Sequence, residues 1–348
     1  MKHHNVPNPK PLLTRRRFLQ ASLVGGFGVT FGGAFLAGKE FIWPRVMEYF
    51  GPRGETFIAK VADYNENLAA IILSGMAELG VDAPLIRGKR ILLKPNLVEP
   101  HRTARHINTH PLVVRGAVEA FLSLGAERVI VAEGSGHYRD TQLVLEESGM
   151  VDVLYEDKIP FKDLNSSEWY IAPNLGNYTK LSTLTFPSIL KQVDWIVSMP
   201  KLKTHHWAGV TLSMKNMFGV MPGMFYGWPK NVLHLHGITQ SIIDINITMP
   251  PQFVIVDGII GMEGDGPIMG MPKRSGVIVL GRNPVSVDAT CARIMGIDPY
   301  KIRHLNAARA IGPIRDTYIY QRGEIVSSVR TDFELLDEIH AQRGLRLS

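Results

Sequence analysis

Short runs of consecutive apolar residues alternate along the chain with segments in which apolar residues recur every three or four positions. The consecutive runs predict buried strands over residues 56–64, 90–94, 128–132, 193–199, 253–256 and 277–280. The periodic segments predict helices over residues 66–80, 111–124, 140–149 and 284–296. Strands that are apolar throughout are typical of parallel sheets covered on both faces. The pattern therefore predicts an α/β fold, with a layered, mostly parallel sheet and helices on both faces.

Three further segments have weaker patterns. Residues 152–182 are polar and contain Asn, Ser and Pro, so we expect an irregular segment that covers an edge of the sheet. Residues 238–248 are rich in isoleucine, whose β-branching leaves helix and strand both open. Residues 332–342 predict a polar surface helix. Because no internal repeat or low-complexity linker divides the chain, residues 51–348 are predicted to form a single α/β domain.

Residues 1–50 are predicted to be a signal or membrane anchor rather than part of that domain. Thr14-Arg15-Arg16-Arg17-Phe18-Leu19-Gln20 precedes an uncharged, glycine-containing run over residues 18–38. The paired arginines followed by Phe-Leu resemble a twin-arginine export signal, with Thr in place of the usual Ser and Gln20 in place of the common Lys. A plain membrane-anchor helix is the alternative.

The run over residues 18–38 approaches the ~20 residues that a membrane-spanning helix needs. Its cleavage site is poor, because Phe35 stands two residues before Ala37, where a small residue is preferred. We therefore expect export through the twin-arginine machinery. Anchorage at the outer face of the cytoplasmic membrane and release into the periplasm or extracellular space both remain open.

Charge and cysteine content exclude several classes of protein. The formal net charge is +6, but residues 1–45 hold seven of the 38 basic residues and one of the 32 acidic residues. The remainder carries 31 of each, so it has no basic field for non-specific binding to nucleic acid. Cys291 is the single cysteine and lies in an apolar context, as a small core residue would. A cysteine-ligated iron–sulfur cluster within this chain is therefore excluded.

The candidate chemistry concentrates in residues 200–223, directly after the strand predicted over 193–199. Lys201, Lys203, His205, His206 and Lys215 fall within fifteen residues, and interspersed glycines and Pro222 predict a loop. In a parallel sheet such a segment lies at the carboxyl edge, where ligands bind. Polar groups follow other strands too, so we expect them to converge there. The predicted binding residues for a small anion are Lys94, Asn96, Lys201, Lys203, Thr204 and Asn216.

Lys215, His205 and His206 are the predicted catalytic residues. Lys215 stands among Leu212, Met214 and Phe218, and burial among apolar residues lowers the pKa of a lysine. Such a lysine suits a base, a Schiff base or a covalent link to a cofactor. The alternative is a lysine whose stem covers apolar surface while its ammonium reaches solvent.

A divalent metal is a candidate cofactor. Its predicted ligands are the carboxylates of a glycine-rich loop over residues 257–267 and a pair of histidines: Asp257, Glu263, Asp265, His234 and His236. The histidines form a pair only if their segment is extended, because on a helix they diverge. The loop lacks the residues of a phosphate-binding P-loop. It is also consistent with a backbone anion nest or a tight turn.

Several motifs together resemble the domain of unknown function 362 family. They are KPNLV at 94–98, THPLVVRGAVE at 109–119, PKLKTH at 200–205, LSMKNMFG at 212–219, VDGIIGMEGDGP at 256–267 and NPVSVDATCARIMGIDP at 283–299. The resemblance runs from about residue 56 to 310 and implies a single α/β domain, but no reaction. Some relatives carry an added ferredoxin-type module, which this chain lacks the cysteines to form.

A local likeness to nickel-dependent lactate racemases involves His206, Ala208-Gly209, Lys215 and Pro222-Gly223, although the spacing from Lys to Pro-Gly differs. Taken together, the residues predict an exported enzyme with a pocket lined by Lys, His and Asp for a small anionic substrate or cofactor. A non-catalytic extracytoplasmic binding protein for an anionic ligand is the main alternative, and a nickel-dependent racemase-like enzyme is a weaker one.

Overall fold

A sheet with helices packed on both faces forms the described part of the chain. The computed structural model describes residues 53–136 and 140–347, so the predicted signal or anchor, including residues 18–38, lies outside the described residues. The strands are β1 Gly54–Lys60, β2 Arg90–Pro95, β3 Arg128–Glu133, β4 Phe161–Asp163, β5 Trp169–Pro173, β6 Thr183–Pro187, β7 Trp195–Met199, β8 Lys201–His205, β9 Gly209–Val210, β10 Phe253–Glu263, β11 Met271–Gly281 and β12 Ile319–Gly323.

The helices between these strands are short. The α-helices are α1 Leu68–Glu78, α2 Ala83–Ile86, α3 Pro111–Ser123, α4 Thr141–Glu147, α5 Met150–Glu156, α6 Leu212–Asn216, α7 Gly223–Tyr226, α8 Asn231–Leu235, α9 Ile238–Thr248, α10 Pro284–Ile294, α11 Arg303–Ala307 and α12 Val326–Val329. Turns of 3₁₀ helix cover Ser188–Lys191, Met217–Val220, Ala308–Ala310 and Asp316–Tyr318. Across residues 53–136 and 140–347, every helix is too short or too polar to cross a bilayer.

The main line of the sheet has the order β12-β1-β11-β10-β7-β2-β3-β4. Of these eight strands β11 alone runs against the others, because it pairs antiparallel with both β1 and β10. The pairs β10–β7, β7–β2, β2–β3 and β3–β4 are all parallel. The carboxyl ends of these strands therefore lie at one edge of the sheet, as the apolar pattern predicts.

Strand β8 extends the line of β7 beyond Pro200. Both pair in parallel with β10, β7 through Phe253 and Val254 and β8 through Asp257 and Met262. Strand β2 pairs with β7 but not with β8. On the side of β8 that faces away from β10, the place beyond the carboxyl end of β2 is therefore not filled by β2. The side chains of β8 and of the segment that follows it can therefore face the space above β2 and β3.

Apolar residues on alternate sides of the strands fill two separate cores. In β10, Phe253 and Ile255 join one core, and Val254 and Val256 join the other. The first core receives residues of α1, α3, α4 and α5, and the second receives residues of α6, α9, α10 and α11. The predicted layered α/β fold with helices on both faces is therefore confirmed, and Cys291 is buried in the second core.

Four predictions of local structure are wrong or incomplete. Residues 152–182 are not irregular throughout, since they contain most of α5, edge strand β4 and β5. Residues 200–223 and 257–267 are not simply loops, because β8 and the second half of β10 pair there. Residues 332–342 form turns rather than a helix. There the amide of Phe333 donates to the carbonyl of Met295, on another element. Residues 238–248, for which the sequence leaves helix and strand both open, form helix α9.

Candidate functional site

A cleft with a cavity volume of about 100 Å³ opens above the carboxyl ends of β2, β3 and β8. Four lysines, three histidines and a single carboxylate contribute to its wall. The residues that carry its chemistry are Lys94, Asn96, Glu133, Lys203, His205, His206, Trp207, Thr211, Lys215, Asn216, Phe218, Lys230 and His234. The cleft thus brings together eight of the residues predicted from the sequence: Lys94, Asn96, Lys203, His205, His206, Lys215, Asn216 and His234.

The floor of the cleft is a buried ion pair between β2 and β3. Lys94 Nζ lies 2.7 Å from Glu133 Oε2, and the two side chains are 1% and 2% exposed. Glu133 also accepts hydrogen bonds from the amides of Leu97 and Gly134. Burial lowers the pKa of Lys94, and Glu133 opposes that shift. Glu133, the only carboxylate that the described residues place in the wall, is therefore already bound to one lysine and two amides.

Asn216 ties this floor to helix α6. Its Oδ1 accepts from Lys94 Nζ at 2.9 Å and from Asn96 Nδ2 at 3.1 Å. Its Nδ2 donates to the carbonyl oxygen of Lys94 at 3.1 Å and to Ser198 Oγ at 3.1 Å. All four hydrogen-bonding positions of this amide are satisfied. Asn216 therefore positions Lys94 and Asn96 and has no free capacity for a ligand.

Lys203 is fully buried and has no carboxylate partner. Its ammonium donates to the carbonyl oxygens of Ile107 at 2.8 Å and Pro267 at 3.1 Å. Burial, followed by the charges of Lys201 and Lys215, lowers the pKa of Lys203 well below its ordinary value. One N–H of its ammonium has no acceptor among the residues that the structure describes.

Lys215 has even fewer partners. Its ammonium makes no hydrogen bond or ion pair within the described residues and lies 4.2 Å from the centroid of the Phe218 ring. Desolvation, followed by the charge of Lys94, lowers the pKa of Lys215 to about 7. This partly buried lysine is therefore divided between its charged and neutral forms near neutral pH.

Lys230 is a fourth cleft lysine, which the sequence analysis missed. It is 4% exposed, hydrogen-bonds to Asn165 Oδ1, and its ammonium lies 5.0 Å from the centroid of Trp228. Burial lowers its pKa to about 7. Its φ of 71° is unusual for a residue other than glycine. The segment around it, between two short helices, has no periodic pattern that would have placed it in the cleft.

The histidines and aromatic rings form the opposite wall. His205 Nδ1 accepts from the amides of Trp207 at 3.0 Å and Ala208 at 3.4 Å, so the neutral ring carries its proton on Nε2. Burial, followed by the charge of Lys215, lowers the pKa of His205 well below its ordinary value. The Trp207 ring lies against His206 and His234, with centroids 4.7 and 5.0 Å apart. His205 is thus a neutral imidazole in the cleft.

Helix α6, which carries Lys215 and Asn216, is capped by a residue from a different helix. Asp288 of α10 is fully buried and accepts from the amides of Ser213 at 2.7 Å and Met214 at 2.8 Å. Burial raises the pKa of Asp288 to about 8, against the effect of these two hydrogen bonds. The preceding Leu212 has a φ of 42°, a strained conformation for a leucine. Hydrogen bonds to Asp288, which lies far along the chain, therefore fix the position of α6.

Lys201 belongs to a different cluster. Its ammonium lies 2.7 Å from Asp257 Oδ2 and 2.9 Å from the Tyr64 hydroxyl, which itself donates to Asp257 Oδ1 at 3.1 Å. Asp257 also accepts from the amide of His110, whose ring stacks on Tyr64 at 3.7 Å. We call Tyr64, His110, Lys201 and Asp257 the buried cluster. Its two charges are paired with each other, and none of its members lines the cleft.

The remaining predicted residues are placed separately. Thr204 Oγ1 donates to the carbonyl oxygen of Gly264 at 2.8 Å rather than facing the cleft. Glu263 pairs with Lys273 at 2.9 Å, and Asp265 lies 3.8 Å from His206 Nδ1. His234 is in α8 and His236 follows it, so the two diverge. Among the described residues, no three His, Cys, Asp or Glu side chains form a group that could hold a metal ion.

Of the residues in the local likeness to lactate racemases, His206 and Lys215 line the cleft. Ala208, Gly209, Pro222 and Gly223 do not.

When they are protonated, the lysines of the wall carry a positive charge that the described residues do not balance. Lys203, Lys215 and Lys230 have no ion pair within the described residues, and the Lys94–Glu133 pair is neutral by itself. Burying unpaired charges is unfavourable. A small anion would offset this cost, and neutral forms of Lys215 and His205 would stand beside it as proton acceptors or donors.

Comparisons with known proteins match the part of the chain that forms the cleft. A family model described as domain of unknown function (DUF362) matches residues 91–293, a range that contains every residue lining the cleft. A thylakoid-associated protein of Synechocystis sp. (strain ATCC 27184 / PCC 6803 / Kazusa) is 26% identical over 227 residues, covering 65% of this chain and 68% of that protein.

One solved structure, a crystal structure of a protein from Thermotoga maritima, was also found. It is 11% identical, and the alignment covers 64% of this chain and 58% of that chain with a TM-score of 0.35. This chain thus spans less than two thirds of that protein, and at this TM-score the alignment supports no conclusion.

Proposed function

The chain belongs to the DUF362 family, and we propose that it is an enzyme that binds a small anionic substrate or cofactor in the cleft and transfers a proton through Lys215. The observation that carries this proposal is the unbalanced positive charge of the wall. Three lysines with little or no exposure share a cavity of about 100 Å³ with one carboxylate, which is itself paired.

Anion binding follows from the partners of these lysines. Lys203 and Lys230 donate to carbonyl and amide oxygens, which orient an ammonium without neutralising it. Each retains at least one N–H, and Lys215 retains all three. A carboxylate or phosphate oxygen accepts such hydrogen bonds strongly because both partners are charged. Lys203, Lys215 and Lys230 are therefore assigned to the anion.

Proton transfer follows from the state of Lys215. A general base works best when its pKa lies near the working pH, and the pKa of Lys215 is about 7. The same neutral amine is also a nucleophile toward carbonyl groups. His205, with its Nε2 proton, is the second group placed to donate. The proposal requires no metal.

Isothermal titration calorimetry with phosphate, sulfate, acetate and glycolate tests the anion site. We expect Lys215→Met to weaken binding about tenfold or more, the usual cost of losing a buried charged partner. Lys180→Met, which removes an exposed lysine outside the cleft, is the matched control.

Proton uptake provides a second readout. A bound anion raises the pKa of the unpaired lysines, so binding at about pH 7.5 should take up protons. The uptake is measured as a dependence of the observed heat on the ionisation enthalpy of the buffer. Failure of all four anions to bind, or equal binding by wild type and Lys215→Met, would contradict the proposal.

Turnover distinguishes an enzyme from a binding protein. If an anion binds through Lys215, it should exchange a hydrogen for deuterium or be converted when incubated with the protein in D₂O. An anion that binds tightly and is recovered unchanged and without deuterium would favour the non-catalytic binding protein.

We further propose twin-arginine export with retention at a membrane through residues 18–38. The paired Arg15 and Arg16 support export, and the relative described as thylakoid-associated supports a membrane location. Fractionation of cells producing wild type or Arg15→Lys/Arg16→Lys tests both parts. We expect wild type in the membrane fraction, accessible to external protease, and the variant in the cytoplasm; identical fractionation would contradict the export route.

A further inference from the structure

We infer that the anion bound in the cleft carries a hydroxyl or amino group, and that this group donates a hydrogen bond to Asn96 Oδ1. The inference rests on the proposed anion site and names the chemical class of its occupant. It follows from the orientation of two buried amides, which neighbouring groups fix one after the other.

The first amide is Asn216. One end of its side chain lies 3.1 Å from the carbonyl oxygen of Lys94, which can only accept a hydrogen bond. The other end lies 2.9 Å from the ammonium of Lys94, which can only donate. The nitrogen must therefore face the carbonyl and the oxygen must face the ammonium. In the reverse orientation two donors would face each other at the ammonium, and two acceptors would face each other at the carbonyl.

The second amide is Asn96. It lies 3.1 Å from Asn216 Oδ1, an acceptor whose identity Lys94 has fixed, so Asn96 must present its nitrogen there. Its own oxygen then points the other way. Asn96 is 8% exposed and lines the cleft, and its Oδ1 has no hydrogen-bond partner within the described residues. One buried acceptor without a donor thus belongs to a residue of the cleft wall, which also holds several lysine ammonium groups.

An acceptor that is buried without a donor is unfavourable. A ligand that offered only anionic oxygens would satisfy the lysines and leave Asn96 unsatisfied. A ligand with an anionic group and a nearby hydroxyl or amino group satisfies both. Thr211 Oγ1 belongs to the same wall and is also buried without a partner within the described residues. Because a hydroxyl can donate or accept a hydrogen bond, it is compatible with the same chemical class of ligand.

The cavity volume of about 100 Å³ is several times the ~10–15 Å³ that one water molecule requires by the same measure, so the cleft has room for a small ligand. Small hydroxy or amino carboxylates and short phosphate esters with a free hydroxyl share the required chemistry.

Matched pairs of ligands distinguish the carboxylates from the phosphate esters. Glycolate against acetate tests the carboxylates, and 2-hydroxyethyl phosphate against ethyl phosphate tests the phosphate esters. Binding to wild type is measured by calorimetry, and we expect the hydroxylated member of at least one pair to bind about tenfold tighter or more, a ratio that one satisfied buried acceptor accounts for.

Asn96→Leu removes the acceptor at similar volume, and the ratio within that pair should fall to about one. Asn246→Leu is the matched control, because Asn246 is also a buried asparagine with an unpartnered Oδ1 but lies outside the cleft. It should keep the wild-type ratio. The ratio measured on wild type tests the inference even if Asn96→Leu fails to fold.

Equal binding of both members of each pair to wild type would overturn the inference and leave the proposed anion site standing. A preference that persists in Asn96→Leu would also overturn it. Failure of every anion to bind would instead overturn the proposed function on which the inference rests.

Discussion

Replacing Lys215 with methionine should stabilise the folded protein near neutral pH. The side chain is partly buried, its ammonium has no anionic partner within the described residues, and the charges that act on it are those of Lys94 and Glu133, which pair with each other. Methionine is of similar length and has no charge to desolvate. If the cleft is an anion site, the charge of Lys215 destabilises the folded protein when no anion is bound, and this substitution removes that charge.

The size of the effect follows from the pKa of Lys215. Its ordinary value is 10.5 and its value in the folded protein is about 7. At about 1.4 kcal/mol per pKa unit, this difference corresponds to about 5 kcal/mol in favour of the neutral form. Because Lys215 is partly open to the cleft, water there screens the charge. We expect a measured gain in the free energy of unfolding of about 1–3 kcal/mol.

The pH dependence has a definite sign. Below about pH 7, Lys215 is protonated in both the folded and the unfolded chain, so the folded state bears the full cost. Between about pH 7 and 10.5 the unfolded chain binds more protons, so the free energy of unfolding of wild type rises with pH. The advantage of Lys215→Met should therefore be largest below pH 7 and shrink toward pH 10.

Urea unfolding of wild type, Lys215→Met and Lys180→Met at several pH values from about 6.5 to 9.5 measures this advantage. The Lys180 control should track wild type throughout, since it removes an exposed lysine. The other cleft lysines also titrate, so the quantity of interest is the difference between wild type and Lys215→Met. A loss of stability in Lys215→Met, or a gain that does not change with pH, would refute the reasoning.

Three further substitutions probe the surroundings of the cleft. In Gly219→Ala the new Cβ would lie 2.2 Å from Glu133 Oε1 and 2.3 Å from Lys94 Nζ; both groups are buried and paired, so urea unfolding should show a loss of about 1–3 kcal/mol and calorimetry weaker anion binding. In Asp288→Asn the amide nitrogen cannot accept, so one N–H at the start of α6 loses its acceptor at a cost of about 1–3 kcal/mol in urea unfolding. Tyr64→Phe removes a hydroxyl of the buried cluster and should cost about 1–2 kcal/mol, yet leave anion binding by calorimetry unchanged.

The sheet and its ligand-binding edge could be predicted from the sequence because they rest on apolar continuity. Strands β2, β3, β7 and the first half of β10 each contain a run of three or more consecutive apolar residues, and the structure buries these runs on both faces. Strand β8 could not be predicted in this way, since its sequence, KLKTH, has the composition of a loop. It is a strand because partners distant in the chain satisfy its buried lysines.

The site could be predicted best where a residue lies at or soon after the end of an apolar strand. Lys94, Asn96 and Lys203 meet that condition, and they line the cleft. Lys230 enters from a segment without periodic pattern, and α6 owes its placement to Asp288 of α10, 72 or more residues away along the chain. Contacts of this kind depend on tertiary packing, which neither composition nor spacing reports.

Lys201 and Lys203 show what separates a scaffold lysine from a site lysine. They lie two residues apart in β8, and both are 0% exposed. Lys201 meets Asp257 and Tyr64, so its charge is neutralised within the protein and it supports the fold. Lys203 meets only carbonyl oxygens and lies within electrostatic reach of Lys215.

Burial and residue type are the same for these two lysines, so the distinguishing quantity is the local balance of charge. Introducing a carboxylate beside Lys203 would test this directly. Thr211 lines the same cleft, and Thr211→Asp would supply the missing anion from the protein itself. If charge balance defines the site, this variant should be more stable than wild type to urea at about pH 7, yet bind small anions at least tenfold more weakly. If the variant is less stable than wild type and binds small anions equally well, the lysines of the cleft do not form an anion site.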